Sequence, residues 1–170
     1  MASFTSDVKG LRTYEAIQLV KNGSVWIGVG KEQPWGAAET VPPVVYQSTM
    51  QETIGYKRAD LLTLVVPDDA GTIQQMNQNW RAVSLEEGKA LDARWVYVQA
   101  WLAYDEFPLK TFRQTGVWAG LQPKETVLVN QQVVKPEEVI DPGYLLVLNN
   151  RSPITREANQ KESIDFIIEF

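Results

Sequence analysis

The sequence has 170 residues, enough for one domain, and its 44% apolar and 22% charged residues are typical of a folded globular protein. The net charge of −5 disfavours nucleic acid or an anionic membrane as a partner, because both attract concentrated positive charge. The chain has no Cys and no His, which excludes disulfides, thiol nucleophiles, His-based catalytic triads and the common zinc sites.

The N-terminal stretch MASFTSDVKG lacks the apolar core of a signal peptide. No segment reaches the roughly 18 apolar residues that a membrane-spanning helix needs. We therefore expect a soluble protein that stays in the cytoplasm where it is made.

The first predicted element is a short helix over residues 13–22. Apolar side chains recur at helical spacing at Tyr14, Ile17 and Val20, and Gly23 is a typical residue at a helix end. A helix of about ten residues is marginal alone, so we expect it to dock on the rest of the protein.

After this helix the apolar pattern changes to an alternation of period two, which predicts β-strands. Residues 24–30 form the first strand. The Pro-rich residues 31–45 predict an ordered, extended surface loop, because proline fixes φ and removes a backbone donor. Residues 72–81, rich in Gln and Asn, predict a loop, and residues 84–87 predict one capped helical turn. Further strands are predicted at residues 61–66, 94–104, 112–119, 126–129, 144–149 and 162–170.

These segments predict a mainly β (α+β) protein, either an antiparallel β-sandwich or a partly open barrel, with a short docked N-terminal helix. A doubly wound α/β fold is disfavoured because regular helices do not alternate with the strands. We expect a single domain over residues 1–170, with an N-terminal arm and helix in residues 1–23 and a β-rich body in residues 24–170.

Tryptophan is frequent in this chain, with six residues. Trp35 lies in the predicted loop between Pro34 and Gly36. Its ring could anchor the loop on its own domain, fill a pocket of a partner, or stack on a sugar, and these alternatives stay open. The tryptophans on predicted strands are expected to pack in the core over glycine or a neighbouring strand: Trp26, Trp95, Trp101 and Trp118.

Two patterns suggest chemistry, and both have simpler interpretations. The cluster of Gly28, Gly30 and Lys31 lacks the G-x-x-x-x-G-K-[ST] spacing of a phosphate loop, and glycine in a strand more often marks a bulge or a close backbone approach. Neighbouring carboxylates on extended chain point to opposite faces and lack calcium-loop spacing, so we interpret them as solvated turn charges. We therefore predict no catalytic residue, cofactor or metal. The carboxylate pairs are Asp68-Asp69, Glu86-Glu87, Asp105-Glu106 and Glu137-Glu138.

The connection before the last predicted strand is rich in planar hydrogen-bonding side chains. Such side chains can hold irregular backbone in place or bind carboxylates and carbonyls of a neighbouring chain. Three interpretations stay open: exposed surface residues, an intrachain clamp of the last hairpin, or a contact between subunits. The residues are Asn150, Arg151, Arg156, Asn159 and Gln160.

Several stretches of the sequence occur in an order that carries a family resemblance. They are WIGVGKEQPWG…PP, YKRADLLTLVVPDD, ARWVYVQAWLA, FRQTGVW and GYLLVLNNRSPITREANQKESIDFIIEF, and they extend from about Val25 to Phe170. Together they resemble structural proteins of contractile bacteriophage tails. The nearest pattern is that of baseplate wedge subunits, with an IGxGxxxPW…PP opening, an R-Q-x-G strand and an NR…R…Q.E…EF ending.

The resemblance implies a non-enzymatic virion structural protein, located in the tail baseplate and assembled in the host cytoplasm. Its partners would be other phage tail and baseplate proteins, in a homo- or hetero-oligomer. Trp35 with Pro34 would anchor a loop at an interface, and the last strand would complete or extend a sheet, within or across chains. The expected interface residues are Pro34, Trp35, Arg113, Asn150, Arg151, Arg156, Gln160 and Phe170. A carbohydrate-binding β-sandwich module and a hydrolase with two carboxylates are the alternatives.

Overall fold

The computed structural model describes residues 2–170, and strands make up most of its regular structure. The elements in chain order are α1 (Lys9–Asn22), β1 (Val25–Gly30), β2 (Gly55–Arg58), β3 (Leu61–Pro67), β4 (Ile73–Gln75), β5 (Gln78–Val83), α2 (Leu85–Ala90), β6 (Trp95–Leu102), β7 (Thr111–Ala119), β8 (Gln122–Pro123), β9 (Val133–Val134), a 3₁₀-helix (Pro136–Glu138), β10 (Val139–Asp141), β11 (Tyr144–Thr155) and β12 (Glu162–Glu169).

The strands form three sheets. Their orders are β11-β7-β1-β2-β9, β10-β8 and β12-β6-β3-β5-β4. Every pairing with a described register is antiparallel, and one sheet is nearly closed like a barrel. The predicted fold class, mainly β with antiparallel sheets and a short N-terminal helix, is confirmed.

The chain forms two compact units. The first contains residues 2–23, 61–98 and 166–170, and the second contains residues 24–60 and 99–165. The single domain expected from the sequence stays a prediction.

In the first unit, helix α1 begins at Lys9, earlier than the predicted start at Thr13. It ends before Gly23, whose left-handed backbone (φ 65°) lets its N–H donate to the carbonyl of Leu19 at 3.3 Å. Thr13 and Ala16 are buried, and α1 packs on α2 and β3. The docking of this helix is therefore confirmed. Neither described helix has the length and apolarity that crossing a bilayer requires.

The predicted loop at residues 72–81 is instead the β4–β5 hairpin. Met76 and Asn77 form its turn with φ values of 56° and 57°, the pair of left-handed residues that a type I′ turn needs. Ile73 pairs with Trp80 across the hairpin, and the burial of Trp80 fixes the register. The loop prediction was wrong because Gln and Asn hide the alternation and the turn lacks the usual Asn-Gly signal.

In the second unit, the core lies against a pair of glycines on β1 and β7. Gly28 is directly opposite Gly116, and a Cβ on Gly28 would lie only 2.7 Å from Trp118 Nε1. The expected packing of a tryptophan ring over glycine is confirmed at this position. The buried cluster consists of Trp26, Met50, Tyr56, Trp118, Leu121 and Val134.

Two sequence predictions in this unit are wrong. Residues 126–129 form turns rather than a strand, and Leu128 and Val129 are exposed because the short apolar run finds no partner strand. Trp101 is 45% exposed rather than part of the core. Its strand buries the opposite set of side chains, which are Val96, Val98, Ala100 and Leu102.

Strand β11 is longer than the predicted residues 144–149 and continues through Pro153 to Thr155. The register against β7 shifts between Asn150 and Ile154, so the strand bulges where the proline cannot donate a ladder hydrogen bond. This irregular stretch lies beside the loop described next.

Candidate functional site

The connection between β1 and β2, residues 31–54, contains neither helix nor strand, as predicted for its first part. We call it the clamped loop. It holds four of the seven described non-glycine residues with positive φ, namely Lys31, Glu39, Tyr46 and Glu52. Left-handed backbone is unfavourable for such residues, so contacts with the rest of the unit must hold this conformation.

The first contact is an ion pair between Arg113 on β7 and Glu39 in the clamped loop. Arg113 Nη2 donates to Glu39 Oε1 at 2.6 Å, and Arg113 Nε donates to both carboxylate oxygens at 3.0 and 3.2 Å. Arg113 Nη1 also donates to the carbonyl of Glu32. Because the guanidinium is buried and each of its three nitrogens donates within the chain, it fixes the position of the loop backbone.

The electrostatics of the clamped loop favour its ionised carboxylates. The hydrogen bond from Arg113 holds the pKa of Glu39 below its ordinary value, and the same pairing raises the pKa of Arg113. Glu52 accepts the backbone N–H of Gln33 at 3.1 Å, which is the main cause of its lowered pKa, and Lys31 Nζ lies 3.4 Å away.

The second contact is made by Trp35. Its Nε1 donates to the carbonyl of Arg151 at 3.0 Å, and Lys31 Nζ lies 5.6 Å from the ring centroid. The ring is half-buried, so it anchors the clamped loop on its own unit. Arg151 itself is half-buried, and burial lowers the pKa of its guanidinium.

The third contact is a chain of neutral amide hydrogen bonds. The fully buried side chain of Gln114 accepts the backbone N–H of Gln51 at 2.8 Å and donates to Asn150 Oδ1 at 2.8 Å. Asn150 Nδ2 then donates to the carbonyl of Pro42 at 3.0 Å. These two side chains therefore tie the two limbs of the clamped loop to β7 and β11.

Arg156 serves a different segment. It is 4% exposed, and its guanidinium donates to the carbonyls of Phe107 at 3.0 Å, Ala103 at 2.6 Å and Leu102 at 3.4 Å. Burial lowers its pKa. Glu106 lies in the same turn and pairs with the buried Lys57 at 2.8 Å. Arg156 is therefore not an exposed surface residue, and its contacts lie within the chain, but they hold the connection between β6 and β7 rather than the last hairpin.

The structure thus groups part of the predicted set. Pro34, Trp35, Arg113, Asn150 and Arg151 meet at the clamped loop, where Pro34 is exposed. The other predicted residues lie elsewhere: Arg156 is buried at the turn described above, Gln160 is exposed, and Phe170 is half-buried in the first unit with its N–H on the carbonyl of Arg94 at 2.9 Å.

Sequence reasoning missed Glu39, Gln51 and Gln114 as members of this site. Gln114 is part of the FRQTGVW motif, but a single sequence does not show which distant backbone groups a buried amide will satisfy. Glu39 is the last charged residue before a long uncharged run, and this local signal could have marked it as an anchor.

Comparison with known proteins identifies the family. A family model described as "baseplate wedge 3 tail fiber network component" matches residues 1–170, the whole chain. The chain is also 31% identical over 165 residues to "Virion protein 3" of Enterococcus phage phiEF24C, an alignment that covers 92% of this chain and 90% of that protein. The predicted resemblance to wedge subunits and the predicted location in a virion tail are confirmed. The chain belongs to the family of baseplate wedge 3 tail fiber network components.

Proposed function

We propose that the chain is a non-enzymatic assembly subunit of the baseplate wedge that binds other tail proteins through a preorganised surface of its second unit. The observation that carries this proposal is the clamped loop, in which side chains from β7 and β11 fix an otherwise irregular segment. A loop that is already ordered loses little conformational entropy on binding, which favours a stable contact. Family membership supplies the context, a network of tail components.

We assign different roles to the predicted interface residues. Arg113, Asn150 and Arg156 hold backbone in place, because guanidinium or amide N–H groups of each already donate within the chain. Pro34 and Gln160 are exposed and available for direct contact. The half-buried residues Trp35 and Arg151 would lie at the rim of such contacts, whereas Phe170 in the first unit would belong to a separate contact beside β12.

Assembly through a sheet edge is a further part of the proposal. Strand β12 lies at one end of its sheet order, next to β6. An edge strand leaves backbone donors and acceptors that a neighbouring chain can pair with. We therefore propose that the chain works as a single domain within a homo- or hetero-oligomer of tail proteins.

The test measures incorporation into baseplates. Phage carrying Trp35→Ala or Arg151→Ala in this chain are grown, baseplates are isolated, and the amount of the chain per baseplate is quantified by mass spectrometry. We expect Trp35→Ala to reduce incorporation. Trp101→Ala is the matched control, because it removes another solvent-accessible tryptophan away from the clamped loop.

If the wild-type chain is not found in isolated baseplates, the proposed function is wrong. If the wild-type chain is present and Trp35→Ala incorporates normally, the clamped loop is not part of the binding surface, and normal incorporation of Arg151→Ala removes Arg151 from that surface.

A further inference from the structure

The clamped loop contains the longest run of the sequence without a charged residue. This run is TVPPVVYQSTMQ, residues 40–51, and it is bounded by Glu39 and Glu52. Charged residues make up 22% of the chain, and the next longest uncharged run, residues 70–80, lies in the β4–β5 hairpin rather than in a loop. Depletion of charge is typical of the buried centre of a protein–protein interface.

The middle of this run exposes apolar side chains to solvent. Tyr46 is fully exposed, and Val44 and Val45 are 43% and 58% exposed. We call residues 43–49 the tip, since each of them is exposed. Contiguous exposed apolar side chains on a folded protein mark a binding site more often than isolated ones do.

The tip is held between two fixed points. On one side the carbonyl of Pro42 accepts from Asn150, and on the other side Met50 is 5% exposed in the core and the N–H of Gln51 is held by Gln114. Pro42 and Pro43 restrict φ, and Tyr46 sits in left-handed backbone at φ 49°. The tip therefore presents Tyr46 in a defined position although it packs on nothing in the described chain.

We propose that the tip is a plug, with Tyr46 inserted into an uncharged apolar pocket of a different tail protein. The ring would fill the pocket, and its hydroxyl would bind a polar group at the rim. Residues 44–45 make no backbone hydrogen bond within residues 2–170. Their N–H and C=O groups would therefore supply further donors and acceptors to the partner. This inference rests on the proposed function, because it names the contact that the clamped loop supports.

Charge complementarity favours a different protein over a second copy of this chain. Three described cavities, of about 520, 590 and 190 Å³, are lined in part by charged side chains, and a fourth of about 410 Å³ is lined mainly by Gln and Asn amides, so none offers the uncharged apolar surroundings that the tip matches. Burying an uncharged ring against such charged and amide groups is unfavourable, since these groups lose water without gaining a hydrogen bond from the ring. The charged side chains include Arg12 and Arg94 in the 520 Å³ cavity, Lys21 and Lys89 in the 590 Å³ cavity, and Glu106 and Glu138 in the 190 Å³ cavity.

The first experiment measures binding of the purified chain to baseplates isolated from phage that lack it. We expect Tyr46→Ala to weaken the apparent Kd about thirtyfold, the effect of losing a central aromatic anchor. Tyr46→Phe keeps the ring and should stay within about threefold of wild type. Tyr144→Ala is the matched control, because Tyr144 is 79% exposed but lies on β11 away from the tip. Thermal unfolding should be the same for Tyr46→Ala and wild type, because the ring makes no contact in the folded chain.

The second experiment places a photo-crosslinking residue at position 46, as Tyr46→p-benzoylphenylalanine, in intact virions. An adduct to a different tail protein supports the plug. An adduct to a second copy of the chain, or no adduct, overturns it. Absence of the wild-type chain from baseplates overturns the proposed function together with this inference. Tight binding of Tyr46→Ala by baseplates that bind the wild type overturns the inference alone.

Discussion

Arg156→Ala should destabilise the protein more than most single substitutions. Arg156 is 4% exposed and donates two short hydrogen bonds, at 2.6 Å to the carbonyl of Ala103 and at 3.0 Å to that of Phe107. Truncation removes the charged donor from the carbonyl of Phe107 and leaves the carbonyl of Ala103 with only the N–H of Glu106 at 3.3 Å, at roughly 1–3 kcal/mol for each lost hydrogen bond, and it removes the packing of the aliphatic stem. The guanidinium no longer loses its hydration on folding, which offsets part of this loss. The net effect is about 3–4 kcal/mol of unfolding free energy.

For a chain of this size, each 1 kcal/mol corresponds to roughly 2–4 °C in Tm, so Arg156→Ala should lower Tm by about 10 °C. The assay is thermal unfolding followed by circular dichroism at pH 7. Arg156→Lys keeps the charge but not the planar fork, and should recover about half of the loss. Arg12→Ala, at an exposed position of α1, is the control. A Tm for Arg156→Ala within about 2 °C of wild type would show that the three carbonyls do not need the guanidinium.

Three further variants test other parts of the structure by thermal unfolding. Gly28→Val places methyl groups against Trp118 and should lower stability by roughly 2–3 kcal/mol, while an unchanged Tm would contradict the close packing of ring on glycine. The double substitution Met76→Asn with Asn77→Gly suits a type I′ turn and should raise Tm by about 2–4 °C; a fall would argue against that turn. Glu39 has a lowered pKa in the folded state, so its ion pair with Arg113 stabilises the protein at pH values above the ordinary pKa of 4.5. This stabilisation is lost as the pH falls through the lowered pKa of the folded state. Glu39→Gln should therefore lower Tm at pH 7, and the gap to wild type should close below pH 4.5; a gap independent of pH would refute the ion pair.

The strands that the sequence predicted well are those with a strict alternation. In β6, the side chains of Val96 and Val98 are fully buried, as the period of two required. Short or polar strands were missed, because their stability comes from the partner strand rather than from local pattern. The β4–β5 hairpin is the clearest example, since it depends on Trp80 and on two left-handed turn residues.

The candidate site was predicted only in part, for a related reason. The sequence marked Trp35 by its position between Pro34 and Gly36, and Arg113 only through the family resemblance, but it gave no sign that both hold the same loop. Their partners, the carbonyl of Arg151 and the carboxylate of Glu39, lie far away in sequence. Such long-range pairing follows from sheet topology, which a single sequence does not specify. Tyr46 was missed because exposure at a loop tip is a property of the folded chain.

Two of the three contacts that hold the clamped loop differ in their response to pH and ionic strength. The contact through Gln114 and Asn150 consists of hydrogen bonds of uncharged amides, so neither acid nor salt changes its donors and acceptors. The contact between Arg113 and Glu39 is an ion pair, and acid or high ionic strength weakens it. Acidification would thus weaken the hold on Glu39 alone, while the hydrogen bond from Trp35 to the carbonyl of Arg151 remains and residues 42 and 51 stay fixed. The segment between residues 42 and 51 would therefore keep its geometry when virions pass through media of different pH and salinity.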